Sequence, residues 1–287
     1  MHKELRYNGF IKKNQTIINL KNIRGGIFMY YPKQIPYLLD KPFQKYINYT
    51  EHHIKELEEY CMCIWQMKSK SKLEKTIYNL VLPDACIDIV IDFKTKTICF
   101  SGFSKDTAFL TLREEVDYMG VRFKPSAFYT IFHIEATKVM DHGIPFSAIE
   151  NNNDLNVIFS CNEEDRLTLF KEYLIQKIKN HPDAKWIKIV DELYENPVEK
   201  TVTAIAQSFG YNKRQLYRIF LKYYGVSPKV LLNILRLHLC LTLLLEEKEG
   251  LSAIAHHCGF YDQSHFIKEI KKYTGISPIQ LLENYKD

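Results

Sequence analysis

Two stretches near the carboxyl end of this chain say almost the same thing. Residues 210–228 read "GYNKRQLYRIFLKYYGVSP" and residues 259–278 read "GFYDQSHFIKEIKKYTGISP". Each opens on Gly and an aromatic residue, carries a basic stretch with helical spacing, and closes on Gly, a β-branched residue, Ser and Pro. The match extends upstream, where Thr203-Ala204-Ile205-Ala206 parallels Ser252-Ala253-Ile254-Ala255 at an offset of 49 (252 − 203). Beyond the glycine the offset becomes 50, pairing Leu216 with Phe266, Phe220 with Ile270 and Gly225 with Gly275. The second copy therefore has one extra residue in its turn.

Each copy predicts a helix-turn-helix. Thr203 or Ser252 is expected to cap a short first helix whose Ile-Ala pair faces inward. Gly210 or Gly259 supplies the left-handed conformation that ends it. Asn212 with Gln215 forms a capping-box start for the second helix, and Asp262 caps its counterpart. The second helix is expected to bury Leu216, Ile219, Phe220 and Tyr223 in one copy. In the other it buries Phe266, Ile270 and Tyr273, with Glu269 as the misfit in the stripe.

The opposite face carries the function. In the first copy it shows Lys213, Arg214, Tyr217, Arg218 and Lys222, four cations with no acid between Asn212 and Tyr224. In the second it shows Gln263, Ser264, Ile267, Lys268, Lys271 and Lys272. A helix fits the major groove of B-DNA, where base edges are fully distinguishable. Arg214 and Arg218 suit guanine or phosphate, and Tyr217 and Ile267 offer apolar surface to a thymine methyl. Between the copies, Ser227-Pro228 starts an apolar helix reaching about Leu245. Eighteen residues at roughly 1.5 Å each make a rod of about 27 Å, against about 34 Å between successive major-groove faces.

Residues from about 185 to 285 resemble the DNA-binding domain of AraC/XylS-type bacterial transcription regulators, and "DQSHFIKEIKKYTGISP" is similar to that family's signature. The resemblance implies two helix-turn-helices joined by a long helix, with both second helices in adjacent major grooves. It places base contacts at Arg214, Tyr217 and Arg218, then at Gln263, Ser264, Ile267 and Lys268. Lys268 and Ile270 stand where the family often has Arg and Phe. It also implies a cytoplasmic regulator, an activator or a repressor, with double-stranded DNA as partner and no cofactor. RNA polymerase, a small-molecule effector and a second copy of the chain are the further candidate partners.

Ahead of the repeat the chain reads differently. The runs "CMCIWQM", "TIYNLVL", "CIDIVIDF", "TICFSGF" and "YMGVRF" are short, rich in β-formers and separated by turn residues. In "CIDIVIDF", Ile87, Ile89 and Ile91 share one face, while Asp88 and Asp92 share the other with Val90 between them. "PSAFYTIFHI" and "PFSAIE" suggest short helices. The expected class is thus α+β: a β-rich domain over 29–150, barrel-like closure being one form open to it, followed by an all-α domain. A linker over 151–182 holds an amphipathic helix with Leu167, Phe170, Leu174 and Ile178 on one stripe. The DNA-binding domain takes 183–287, with its motifs at about 201–223 and 250–273. Asn151 to Asn153 mark the boundary, and Asp183 is expected to cap a helix after the break at His181-Pro182. Residues 1–28 read as an extension, with Met29 an alternative translation start. "LPDACIDIVID", "MGVRFKPSAF" and "GIPFSAI" are similar to a β-rich domain of uncharacterised role found in front of such DNA-binding domains, which implies sensing or assembly.

Bulk properties narrow the field less. The net charge of +5 comes from 39 basic and 34 acidic residues, which permits an anionic partner without demonstrating one. Residues 183–287 hold 14 Lys and Arg against 12 Asp and Glu, so a nucleic-acid argument rests on placement. The seven cysteines include no CxxC pair and read as free thiols in a reducing compartment. The apolar stretch Leu231–Leu245 includes Asn233, Arg236 and His238 and reads as too short and polar for a bilayer. No metal site is expected: Asp84, Asp88 and Asp92, four apart along strands, are not expected to converge. His52-His53 reads as a helix start. A front-domain pocket would draw on Trp65, Tyr78, Phe93, Phe100 and Phe103. The rival reading is a DNA-linked repair or sensor enzyme with a reactive cysteine among Cys61, Cys63, Cys86 and Cys99.

Overall fold

A computed structural model describes residues 23–24, 27–28, 30–32, 34, 41–150, 153–179, 184–246 and 248–286. Most of the 1–28 extension, Met29, Asn151, Asn152 and the His181-Pro182-Asp183 break, with its expected cap, lie outside the described residues. Two short strands, β1 (Ile23–Arg24) and β2 (Ile27–Phe28), pair antiparallel.

The front half is built on an antiparallel sheet. Its strands are β3 (Ile47–His52), β4 (Cys61–Ser69), β6 (Ile87–Asp92), β7 (Thr97–Ser101), β9 (Asp117–Phe123) and β10 (Gly143–Pro145), in the order β10-β7-β6-β9-β4-β3. Among the described residues a second pair of strands, β5 (Ile77–Val81) with β8 (Ala108–Leu112), pairs only with itself. The sheet is open, with β10 and β3 as its edges, so the barrel-like form is corrected to an open sheet with a separate strand pair.

Period-two patterning sorts the sheet's two faces. Ile87, Ile89 and Ile91 of β6 are buried with Phe100, Met119, Val121 and Phe123 in one apolar core. Two helices seal it: α2 (Ala127–Phe132), and α4 (Arg166–Ile178), which buries Phe170, Tyr173, Leu174 and Ile178 there. The linker helix is thus part of the front domain's core. The short helices α1 (Lys41–Tyr46) and α3 (Asn153–Asn156) complete this half. The other face of the sheet carries Trp65, Asp88, Val90 and Arg122 and lines a cavity.

From Lys185 the chain is helical: α5 (Lys185–Glu195), α6 (Val202–Ser208), α7 (Lys213–Tyr224), α8 (Pro228–Glu246), α9 (Leu251–His257), α10 (Gln263–Thr274) and α11 (Pro278–Lys286). The long helix α8 acts as an axle. Its first half places Leu231, Leu232, Ile234 and Leu235 in a core with Trp186, Leu216 and Phe220. Its second half places Leu237, Cys240, Leu241, Leu244 and Leu245 in another with Ile254, Phe266 and Ile270. Burying each such leucine contributes about 1.5–3 kcal/mol, so the rod is held from both ends. By length and composition alone α8 could cross a membrane, contrary to the sequence expectation, but most of it is buried inside the fold.

Candidate nucleic-acid interface

The two helix-turn-helices share their glycine turns and the side-chain caps of their second helices, and differ where the first helix starts. In the first, Thr201 caps α6, its side chain accepting from the Ala204 amide at 3.1 Å. Thr203, expected there, lies inside the helix. Thr201 holds the extended backbone a cap needs, with φ −92° and ψ 150°. Gly250 is the N-cap of α9 and offers no side chain, so Ser252 is likewise internal. Gly210 and Gly259 both adopt φ +69°, the left-handed turn that sends the chain into the second helix.

The second helices start as the sequence predicts. Asn212 and Gln215 exchange side-chain-to-backbone hydrogen bonds at 2.9 Å each. Asp262 accepts from the His265 amide at 2.7 Å. Leu216, Phe220, Phe266 and Ile270 are buried. The last turn of each stripe shifts by one residue: Tyr224 and Thr274 are buried, whereas Tyr223 and Tyr273 are half-buried. Tyr224 donates to the Trp186 carbonyl at 2.5 Å. Trp186 is a hub that the sequence did not single out, with Phe209, Tyr211, Phe220 and Tyr223 ringed around it at 5.3–6.5 Å. Glu269, the misfit, has one carboxylate oxygen buried without a partner and Lys272 at 4.0 Å.

The outward face is where the charges lie. Lys213, Arg214, Tyr217 and Arg218 are exposed on α7, and Gln263, Ser264, Lys268, Lys271 and Lys272 on α10. Two residues fall elsewhere. Lys222 is half-buried, its ammonium 4.7 Å above the Tyr129 ring of the front domain, and bonding to Tyr129 raises its pKa. Ile267 is half-buried against the core of the second motif. Tyr261, the extra residue of the second turn, is 95% exposed immediately before α10. The one-residue change of offset was the signal that could have found it.

The front domain grips the first motif. Tyr129 packs on Tyr223 at 4.5 Å, and Ala136 lies against Gly225 at the end of α7. It touches the second motif too, where Thr107 donates to the Tyr273 carbonyl at 2.8 Å.

Five of the seven cysteines sit where burial works against a thiolate. Burial pushes the thiols of Cys61, Cys63, Cys86, Cys99 and Cys240 up, and an activated thiolate needs the reverse. A bulge between Cys61 and Cys63 shifts the register of β4, sending Cys61 to the helix-covered core and Cys63 to the other cluster.

Comparison with known proteins matches residues 205–284 to the family described as "Helix-turn-helix domain". The carboxyl-terminal segment is an AraC-type helix-turn-helix domain. Residues 54–145 match "Domain of unknown function (DUF6597)". Relatives of the AraC-type domain include the "HTH-type transcriptional activator RhaS" of Salmonella schwarzengrund, 29% identical over 39% of this chain and 41% of that protein. The "Uncharacterized HTH-type transcriptional regulator YidL" of Escherichia coli is 30% identical over 37% of this chain and 36% of its own length. The chain thus spans about two fifths of the curated relatives it matches. A solved AraC-type regulator from Chromobacterium violaceum is 28% identical, covering 32% of this chain and 83% of that one with a TM-score of 0.30.

Proposed function

We propose that this chain is a sequence-specific DNA-binding transcription regulator that reads duplex DNA through α7 and α10. The observation that carries the reading is the pair of exposed cationic helix faces raised on one repeated framework and joined by one rod. Arg214, Tyr217 and Arg218 on α7, with Gln263, Ser264 and Lys268 on α10, select bases. Lys213, Lys271 and Lys272 hold phosphate, and Tyr261 extends the contact at the second turn. The mechanism is readout, with no bond made or broken. Phosphate contacts set register, and side chains at base edges set sequence. Relatives named as transcription regulators support the same reading. The front domain would serve sensing or assembly, with RNA polymerase and a second copy as further partners of a regulator in the cytoplasm.

Selection of bound sequences from a random duplex pool tests this. Two recovered blocks with centres about 10–10.5 base pairs apart are expected. Recovery of no enriched sequence, with binding that ignores sequence, would overturn it.

A further inference from the structure

The face of the sheet opposite the helices encloses a cavity of about 590 Å³, within the range of small-molecule sites. Its walls come from β3, β4, β6, β7 and β9, the β5–β8 pair and the Leu82–Cys86 loop. The expected pocket is partly here. Trp65 and Phe103 line it, whereas Phe100 lies in the opposite core, Phe93 stacks under Arg166 and Tyr78 points to solvent.

Among the described residues its charge is one-sided. Glu51, Asp84, Asp88, Asp92, Asp106 and Asp141 all line it, against the guanidinium of Arg122 and the imidazole of His142. Contrary to the sequence expectation, Asp84 and Asp88 do converge, and Arg122 is the reason. Its Nη2 lies 3.3 Å from Asp88 and its Nε 3.9 Å from Asp84. That arginine is occupied by two carboxylates, so it is a poor seat for an anionic ligand. Glu51 differs. It accepts hydrogen bonds from Tyr31 and from Tyr49, the latter at 2.8 Å, and among the described residues the only basic group within 4.0 Å of it is His53, at 3.9 Å. Beside it the rings of Tyr49 and Trp65 stack with centroids 6.4 Å apart. A carboxylate set among aromatic faces attracts an ammonium group by charge and by ring quadrupole together. Val81, Val90 and Leu110 leave apolar wall for the rest of the ligand.

We infer that this cavity binds a small organic cation, an amine or quaternary ammonium carried on an apolar body, with its charge against Glu51, Tyr49 and Trp65. The inference stands independently of the DNA-binding reading, since it concerns the front domain alone.

Titration calorimetry on the full chain tests it with four probes of similar shape: 2-phenylethylammonium, benzyltrimethylammonium, neutral 2-phenylethanol and anionic 3-phenylpropionate. Saturable binding of at least one cation, tenfold or more tighter than both the alcohol and the acid, is expected. Glu51→Gln should abolish most of that preference while leaving the alcohol unchanged. Equal or tighter binding of the neutral or anionic probe, or no saturable binding by either cation, would overturn the inference. The wild-type series decides the matter even if the variant does not fold.

Discussion

The imidazole Nε2 of His238, wholly buried in the middle of α8, lies 2.8 Å from the carbonyl oxygen of Pro83. This bond joins the rod between the two motifs to the loop that forms one wall of the front-domain cavity. The loop is braced from within: Tyr30 donates to the Asp84 carbonyl at 2.9 Å, Gln34 donates to the Leu82 carbonyl, and the Cys86 amide donates to the Asp84 carboxylate. To donate to a carbonyl, His238 must carry its proton on Nε2. His238→Leu keeps the apolar volume but leaves a buried carbonyl without this donor, at a cost of about 1–3 kcal/mol. Urea unfolding checks it, with Trp65 reporting the front sheet and Trp186 the first motif. A lower midpoint is expected in both signals; an unchanged midpoint would show the bond to be incidental.

The recognition faces make a graded prediction. Arg214→Ala should cost about 1–3 kcal/mol at the selected site and relax base preference there. Lys271→Ala should weaken binding to all sequences alike and lower the salt slope by about one. Lys222→Ala should do neither, because its ammonium sits over Tyr129 at the seam between the halves. Gel-shift titrations over a range of salt concentrations separate the three. If Lys222→Ala lost as much affinity as Arg214→Ala, the seam would not be intact in the DNA-bound form.

How much of this was readable beforehand follows from where the information sits. The capping box at Asn212, the glycine turns and the buried stripe through Leu216 and Phe220 are local, and neighbours in sequence determine them. Thr201 and Thr203 both offer a capping hydroxyl in the sequence, and only backbone conformation picks Thr201. In the front half, β3 and β8 carry no clear strand pattern in the sequence. Thr50 and Glu51 blur the alternation of β3, and Phe109 points outward from an exposed strand pair. His52 ends a strand and faces Gln66 at 3.0 Å instead of starting a helix. The meeting of Asp84, Asp88 and Arg122 depends on β6 pairing with β9, which sets Asp88 directly across from Arg122. No spacing within one strand reveals such a partner.

Asp88 carries a pH dependence whose sign can be worked out. Burial pushes its carboxyl from 3.8 up to about 6, with Asp84 adding to the rise and with Arg122 and the Trp65 indole N–H pulling it back. Glu51, Cys63, Cys86 and Asp92 also belong to this neighbourhood. Between about pH 4 and pH 6 the folded form holds the proton more tightly than the unfolded chain, so stability falls as pH rises through that window. Asp88→Asn removes the titration. Urea unfolding of both proteins from pH 4 to 7.5 should show the wild type losing ground to the variant up to about pH 6, then running parallel. A gap that widens in the opposite direction would mean that the Arg122 pairing outweighs burial.

Gly120 is where the cavity's floor depends on a missing side chain. The Trp65 indole starts on β4, crosses β9 at the position paired with Gly120, and reaches β6, where its Nε1 donates to Asp88 at 2.9 Å. A Cβ on Gly120 would stand 2.4 Å from the indole ring and 2.6 Å from the Ile89 carbonyl. Neither neighbour can yield freely, since the ring is buried and the carbonyl belongs to the sheet. Gly120→Ala should therefore cost about 1–3 kcal/mol, as overpacking does, and should break the Trp65–Asp88 bond. Trp65→Phe shortens the ring and opens space over β9. In the double variant the alanine should cost less than it does alone, giving a coupling of about 0.5–3 kcal/mol in a double-mutant cycle. Strictly additive losses would mean that the strain falls on the Ile89 carbonyl and that the indole is not held across the glycine.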